Sequence, residues 1–123
     1  MQTTVLVVQM IVALTLLNVW LLRFRQSTAY RGGNAQSMPQ EFAVYGLPSW
    51  FTYVIGALKI GTALVLIAGL WFPAVVFPAA VLISLLMLGA LAMHLKVHDP
   101  VKKFLPAFAM LLMGVFLCFN SIR

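Results

Sequence analysis

Few side chains in this sequence can do chemistry, and the one that stands out is Lys59, placed in the middle of an apolar run, TYVIGALKIGTALVL. Two histidines, His94 and His98, lie four positions apart and form an HxxxH pair on one helix face. The acids are Glu41 and Asp99, and the single cysteine is Cys118. A lone cysteine allows neither an internal disulfide nor a dithiol redox pair. The histidine pair invites a metal, but such a site wants three or four converging ligands. Cys118 falls near the far end of its own apolar segment, which leaves only Asp99 or Glu41 to join. Axial haem ligation is no better, because both rings leave the same helix. The plain reading is a pair of histidines at a polar helix end, with His94 hydrogen-bonded inside the bundle mouth. No metal site and no cofactor are expected, and no GxGxxG, Walker or HExxH pattern occurs.

What must position these groups follows from composition. The 123 residues are 63% hydrophobic and 8% charged, whereas a soluble domain is about a quarter charged. The mean hydropathy of +1.05 agrees. Four spans of about 20 residues fit the length, so the expected fold is all-α: a polytopic membrane protein, an antiparallel four-transmembrane-helix bundle in one membrane domain. The spans are placed at about 5–22, 49–70, 74–95 and 102–120. The first is followed by Arg23 and Arg25 rather than preceded by a basic region, which reads as an uncleaved span and not a secretory signal. Pro48 bounds the second span. Trp71, Phe72 and Pro73 alone separate the second and third, forcing a tight hairpin. Asp99-Pro100 resembles a helix start, the carboxylate capping and the proline in the first turn. Trp20, Trp50 and Trp71 fall near span edges, where amphipathic rings belong.

The connection 23–47 is long for so small a protein. It could order as a cap over the bundle or remain a loose linker, and Phe42, Val44, Tyr45 and Leu47 favour order. With four spans both termini share a face. The opposite face carries Arg23, Arg25, Arg31, Lys96, Lys102 and Lys103, against Arg123 and the terminal amine. The positive-inside rule then puts 23–47 and 96–103 in the cytoplasm and both termini outside. The basic pI near 10.1 is topology rather than a nucleic-acid footprint.

Lys59 lies nine positions after Trp50, about 14 Å along a helix from that edge. A lysine near the bilayer centre costs roughly 2.5–3.5 kcal/mol on insertion scales, so it needs help. Thr15, Thr62 and Ser84 fall at similar depth. Thr52, Gly56, Lys59 and Ala63 share a face, a small-residue seam around the lysine. Three readings stand. Lys59 is a buried structural residue that snorkels or sheds its proton; or it faces an interior pocket for an anionic or polar-headed lipophilic ligand, with Thr15, Thr62, Ser84 and His94; or it is a base or proton carrier. Chemistry wants a second group beside it, and none is visible. A salt bridge to another subunit is a further use.

The stretch GLPSWFTYVIGALKIGTALVLIAGL, then LISLLMLGALAMHLKVHDP and a last apolar helix, resembles the DoxX-like family of small four-helix membrane proteins over about residues 42–120. The likeness rests on the proline-aromatic entry to the second span, its Gly-rich centre, and Gly89, Ala90 and His94 in the third. Members commonly carry an acid where Lys59 stands, so a chemistry that depends on that acid would not run here in the same way. The resemblance implies association with membrane redox complexes or with membrane partners, but no catalytic residue carries over. The expected protein is a non-catalytic accessory or binding bundle of the bacterial plasma membrane, with a lipophilic ligand, a membrane-protein partner or a homo-dimer as its company. The alternative is a subunit of a membrane oxidoreductase working with a quinone or a redox partner. A transporter is disfavoured, since no second ionisable group accompanies Lys59.

Overall fold

The computed structural model describes residues 2–25 and 30–121, the side chain of Gln2 excepted; Met1, residues 26–29, Ile122 and Arg123 lie outside it. The terminal-face charges counted above therefore fall outside the described residues. The chain is all-α, an antiparallel bundle of four long apolar helices, with no strand among the described residues. Helix α1 (Gln2–Leu17) runs into a π-helical turn (Asn18–Leu22). The short α2 (Met38–Val44) follows, then α3 (Ser49–Ala68). A 3-10 turn (Pro73–Val75) leads into α4 (Val76–Lys96), and α5 (Val101–Ser121) closes the chain.

Each boundary has a local cause. Pro48 is the N-cap of α3, and the turn after Ala68 is closed by backbone bonds from Trp71 and Phe72 to the Ala68 carbonyl, both 3.0 Å. Ser37 caps α2, its Oγ accepting the Gln40 amide at 3.3 Å. Gly46, at φ 80°, ends α2; the Gly46 and Leu47 amides reach back to Ala43 and Phe42, a left-handed helix stop of the glycine type. Helix α4 ends on the same backbone pattern, with His98 in the left-handed position at φ 55° and the His98 and Asp99 amides donating to Leu95 and His94. His98 is thus beyond the helix and exposed, so it does not share a face with His94. Asp99 precedes α5 but spends its carboxylate elsewhere, as described below, rather than on the amides of that helix.

In the bundle α1 packs on α3 and α5, and α4 on α3 and α5, the α4–α5 contact being the most extensive. The core is built from Val12, Ala13, Leu16, Ala63, Leu66, Ala80, Ile83 and Leu117, all nearly inaccessible. Small residues set the closest approaches. A Cβ on Gly114 would stand 2.6 Å from Ser84 Oγ, and one on Gly56 2.9 Å from the Trp20 ring. The outward faces carry Val7, Ile11, Leu14, Leu64, Leu85 and Leu112, a surface suited to lipid chains and not to water. Trp50 and Trp71 are 63% and 70% exposed at helix edges, but Trp20 is only 4% exposed. The π turn swings that ring inward, away from the belt its sequence position suggests.

Candidate functional site

The π turn begins at Asn18, whose carbonyl accepts the Arg23 amide five residues on. The wider turn rotates Trp20 towards α3, where Gly56 leaves room for it. One turn further along α3, the Lys59 ammonium sits 5.1 Å from the centre of the Trp20 ring. That is cation–π range. Among the described residues Lys59 makes no hydrogen bond and no ion pair. Thr52, Gly56 and Ala63 of the small-residue seam are buried, while Lys59 itself stays partly accessible.

Residues 31–47 form a cap over this end of the bundle. Met38 and Phe42 of α2 pack with Trp20, and Phe24, Leu47, Phe51 and Ile55 surround them. Phe42 stands edge-on to Trp20 with centroids 6.1 Å apart. Arg31, read from sequence as a topology charge, is 4% exposed. Its guanidinium donates to the Arg23 and Phe24 carbonyls and lies 3.5 Å from Glu41. Tyr45 donates its hydroxyl to Glu41 at 3.1 Å. Burial pushes the Tyr45 phenol up, and the Glu41 charge and hydrogen bond push the same way, so the ring stays a neutral donor.

The cap is tied to the α4–α5 turn by a polar cluster. His94 Nδ1 donates to Asp99 Oδ2 at 2.7 Å, and the Gly33 amide donates to Asp99 Oδ1 at 2.9 Å. Lys103 Nζ donates to the Gly33 carbonyl at 2.5 Å and stands 3.8 Å from Asp99. Lys96 Nζ donates to the Tyr45 carbonyl at 2.7 Å. Burial alone pushes the Asp99 carboxyl up. The His94 and Gly33 hydrogen bonds and the charges of His94 and Lys103 outweigh it and hold the group below the usual carboxylate range.

Between the cap and the helices lies a cavity of about 870 Å³. Lys59, Thr15 and His94 all line it, brought together from α3, α1 and α4. Thr62 and Ser84 do not: their hydroxyls donate to Leu58 and Ala80 of their own helices, at 2.7 and 2.8 Å. Most of the wall is aromatic or aliphatic, with Trp20, Phe42, Phe51, Met87 and Met110 prominent; Arg31, Glu41 and Tyr45 contribute its polar roof. Sequence reasoning put Arg31 and Asp99 at this end only as loop charges and Trp20 at a membrane edge, and missed that Trp20 and Arg31 line the cavity and that Asp99 ties the cap down. The only signal that could have found Asp99 was its five-residue spacing from His94 across a helix stop. Among the described residues no group of three or more metal-type ligands converges.

Residues 4–117 match the DoxX-like family. The chain belongs to the DoxX-like family. The match takes in α1, the π turn and the cap as well as the segment from 42 onward that carried the resemblance. No curated protein and no solved structure matches. With four helices long and apolar enough to cross a bilayer, this DoxX-like chain is an integral membrane protein.

Proposed function

We propose that this DoxX-like protein is a non-catalytic binding bundle that holds a lipophilic ligand in the cavity beneath its cap. The observation that carries the reading is the cavity itself, about 870 Å³ and mostly apolar, with Thr15, Lys59 and His94 on its wall and further polar groups in its roof. That size and lining are those of small-molecule sites. Both acids are engaged structurally, Glu41 by Arg31 and Tyr45 and Asp99 by His94 and Gly33, and Lys59 has no acid beside it to act with. The excess of basic residues at the cap end supports a cytoplasmic cap and external termini, in what we take to be a bacterial plasma membrane. An accessory role further implies a membrane-protein partner or a second copy of the chain, which crosslinking in native membranes would identify.

The test uses Gly89, which lines the cavity and has open space around a would-be Cβ. Reconstituted in nanodiscs of one synthetic phospholipid, the wild-type protein should retain a foreign lipophile that solvent extraction and mass spectrometry reveal. Gly89→Phe should retain several-fold less at unchanged helix content. Equal retention by both proteins overturns the reading.

A second reading, the subunit of a quinone-linked oxidoreductase, is favoured by His94. Its Nδ1 is committed to Asp99 and its ring lies on the cavity wall, which leaves Nε2 to accept from a quinol hydroxyl or, on the protonated ring, to donate to a quinone carbonyl. Quinone in the same extracts would support this; a quinone-free extract from gently solubilised membranes would sink it.

A further inference from the structure

The cavity's polar groups are not alike, and their differences point to the head group of its occupant. Arg31 and Glu41 neutralise each other in the roof. Lys103 is engaged by Asp99 and the Gly33 carbonyl. Lys59 has the face of Trp20 and, beyond contact distance, the charge of Glu41, which Arg31 already holds. A cation at membrane depth with no anion or hydrogen-bond acceptor in contact is costly, and a ring face compensates it only in part. We infer that the occupant is an amphiphile with a carboxylate head, seated with the carboxylate on Lys59 Nζ and its hydrocarbon chain along Trp20, Phe42, Met87 and Met110. This inference rests on the binding reading above and adds the ligand class.

Two further features fit it. Leu85 and Gly89 of α4 line the cavity and are also exposed, so the wall is open at membrane depth. A lipid-dissolved molecule can enter from the side without crossing the cap. The second feature is the methionines. Met87 and Met110 are flexible, polarisable side chains that adapt to a hydrocarbon chain of variable length. A neutral lipid of the same shape would leave the lysine as it is, and a cationic one would oppose it.

Trp20 is the natural reporter, because bilayer lipids barely reach it. In a Trp50→Phe, Trp71→Phe background, in phosphatidylcholine nanodiscs, dibromostearic acid should quench its fluorescence saturably. The methyl ester of the same acid should bind about tenfold more weakly, the size expected for loss of one charge-assisted contact. Lys59→Met should erase the preference for acid over ester, and Lys59→Arg should keep it. Equal quenching by acid and ester, or an acid preference that survives Lys59→Met, overturns the carboxylate assignment while leaving the cavity as a lipophile site. Absence of saturable quenching by either compound overturns both. Gly89→Phe should weaken acid and ester together, which separates filling of the cavity from recognition of the head.

Discussion

Both ends of the bundle leave space between helices, yet only one is built like a binding site. The terminal end holds a recess of about 770 Å³ bordered by Gln9, Gly69, Asn120 and Ser121. Among the described residues, each of its polar side chains is already engaged. Gln9 Nε2 donates to the Leu66 carbonyl at 2.6 Å, a group left over at the end of α3 because the Leu70 amide bonds to Ile67 instead. Asn120 donates to the Phe116 carbonyl at 2.8 Å and Ser121 to that of Leu117 at 2.5 Å. The cap end is similar in volume, but Lys59 faces its cavity without an acceptor. The two volumes are nearly equal, so volume alone does not make a site. The difference lies in which polar groups the fold leaves unanswered.

The contrast can be broken at either end, and the cap end should respond most. Asp99→Ala removes the partner of His94 and the anchor of Gly33 at once. Breaking a buried pair of this kind costs about 3 kcal/mol, and the cap should become accessible to protease between residues 31 and 47 before the helices unfold. Next is the acid dependence of the same contact. Asp99 is held below its unfolded value of about 3.9, so its contribution is full above that pH and disappears as pH falls through the lowered folded value. Thermal stability should therefore drop below about pH 4 in the wild type, and that step should vanish in Asp99→Asn. At the terminal end, Gln9→Leu orphans one carbonyl. A loss of about 1–2 kcal/mol in thermal unfolding, with Trp20 quenching unchanged, would show that the two ends are energetically separate. The smallest effect is expected from His98→Gly, which relieves the left-handed backbone of a non-glycine residue. A gain of about 0.5–1 kcal/mol is expected, and a loss would mean that the His98 side chain has a role of its own.

The architecture was legible because hydropathy and proline placement say which residues enter the membrane. Pro48, the Trp71–Pro73 turn and the charge-free first run were sufficient for the helices. Lys59 and His94 were legible as oddities, since a charge or an imidazole in an apolar run is visible without any structure. The side of the helix was less so. Thr62 and Ser84 share the depth of Lys59, but hydroxyls can satisfy themselves on the carbonyl four residues back, and depth does not reveal that. Trp20 was misplaced at a membrane edge because a π turn adds a residue to the helical count and redirects every side chain within it. Arg31 and Asp99 look like solvated loop charges until the cap brings residue 33 beside residue 99.

That cap is fastened across most of the chain. Gly33 reaches Asp99 and Lys103 over 66 and 70 residues, and Tyr45 reaches Lys96 over 51. Long-range contacts of this kind form only once both partners exist. During synthesis the first helix and the segment that becomes the roof leave the ribosome long before the residues that hold it down. The roof can settle only when the α4–α5 hairpin has been made and inserted. A chain halted before residue 94 would carry three of the membrane helices and no fastened roof, so roofing of the cavity is the last step of biogenesis and completion of the C-terminal hairpin is its trigger.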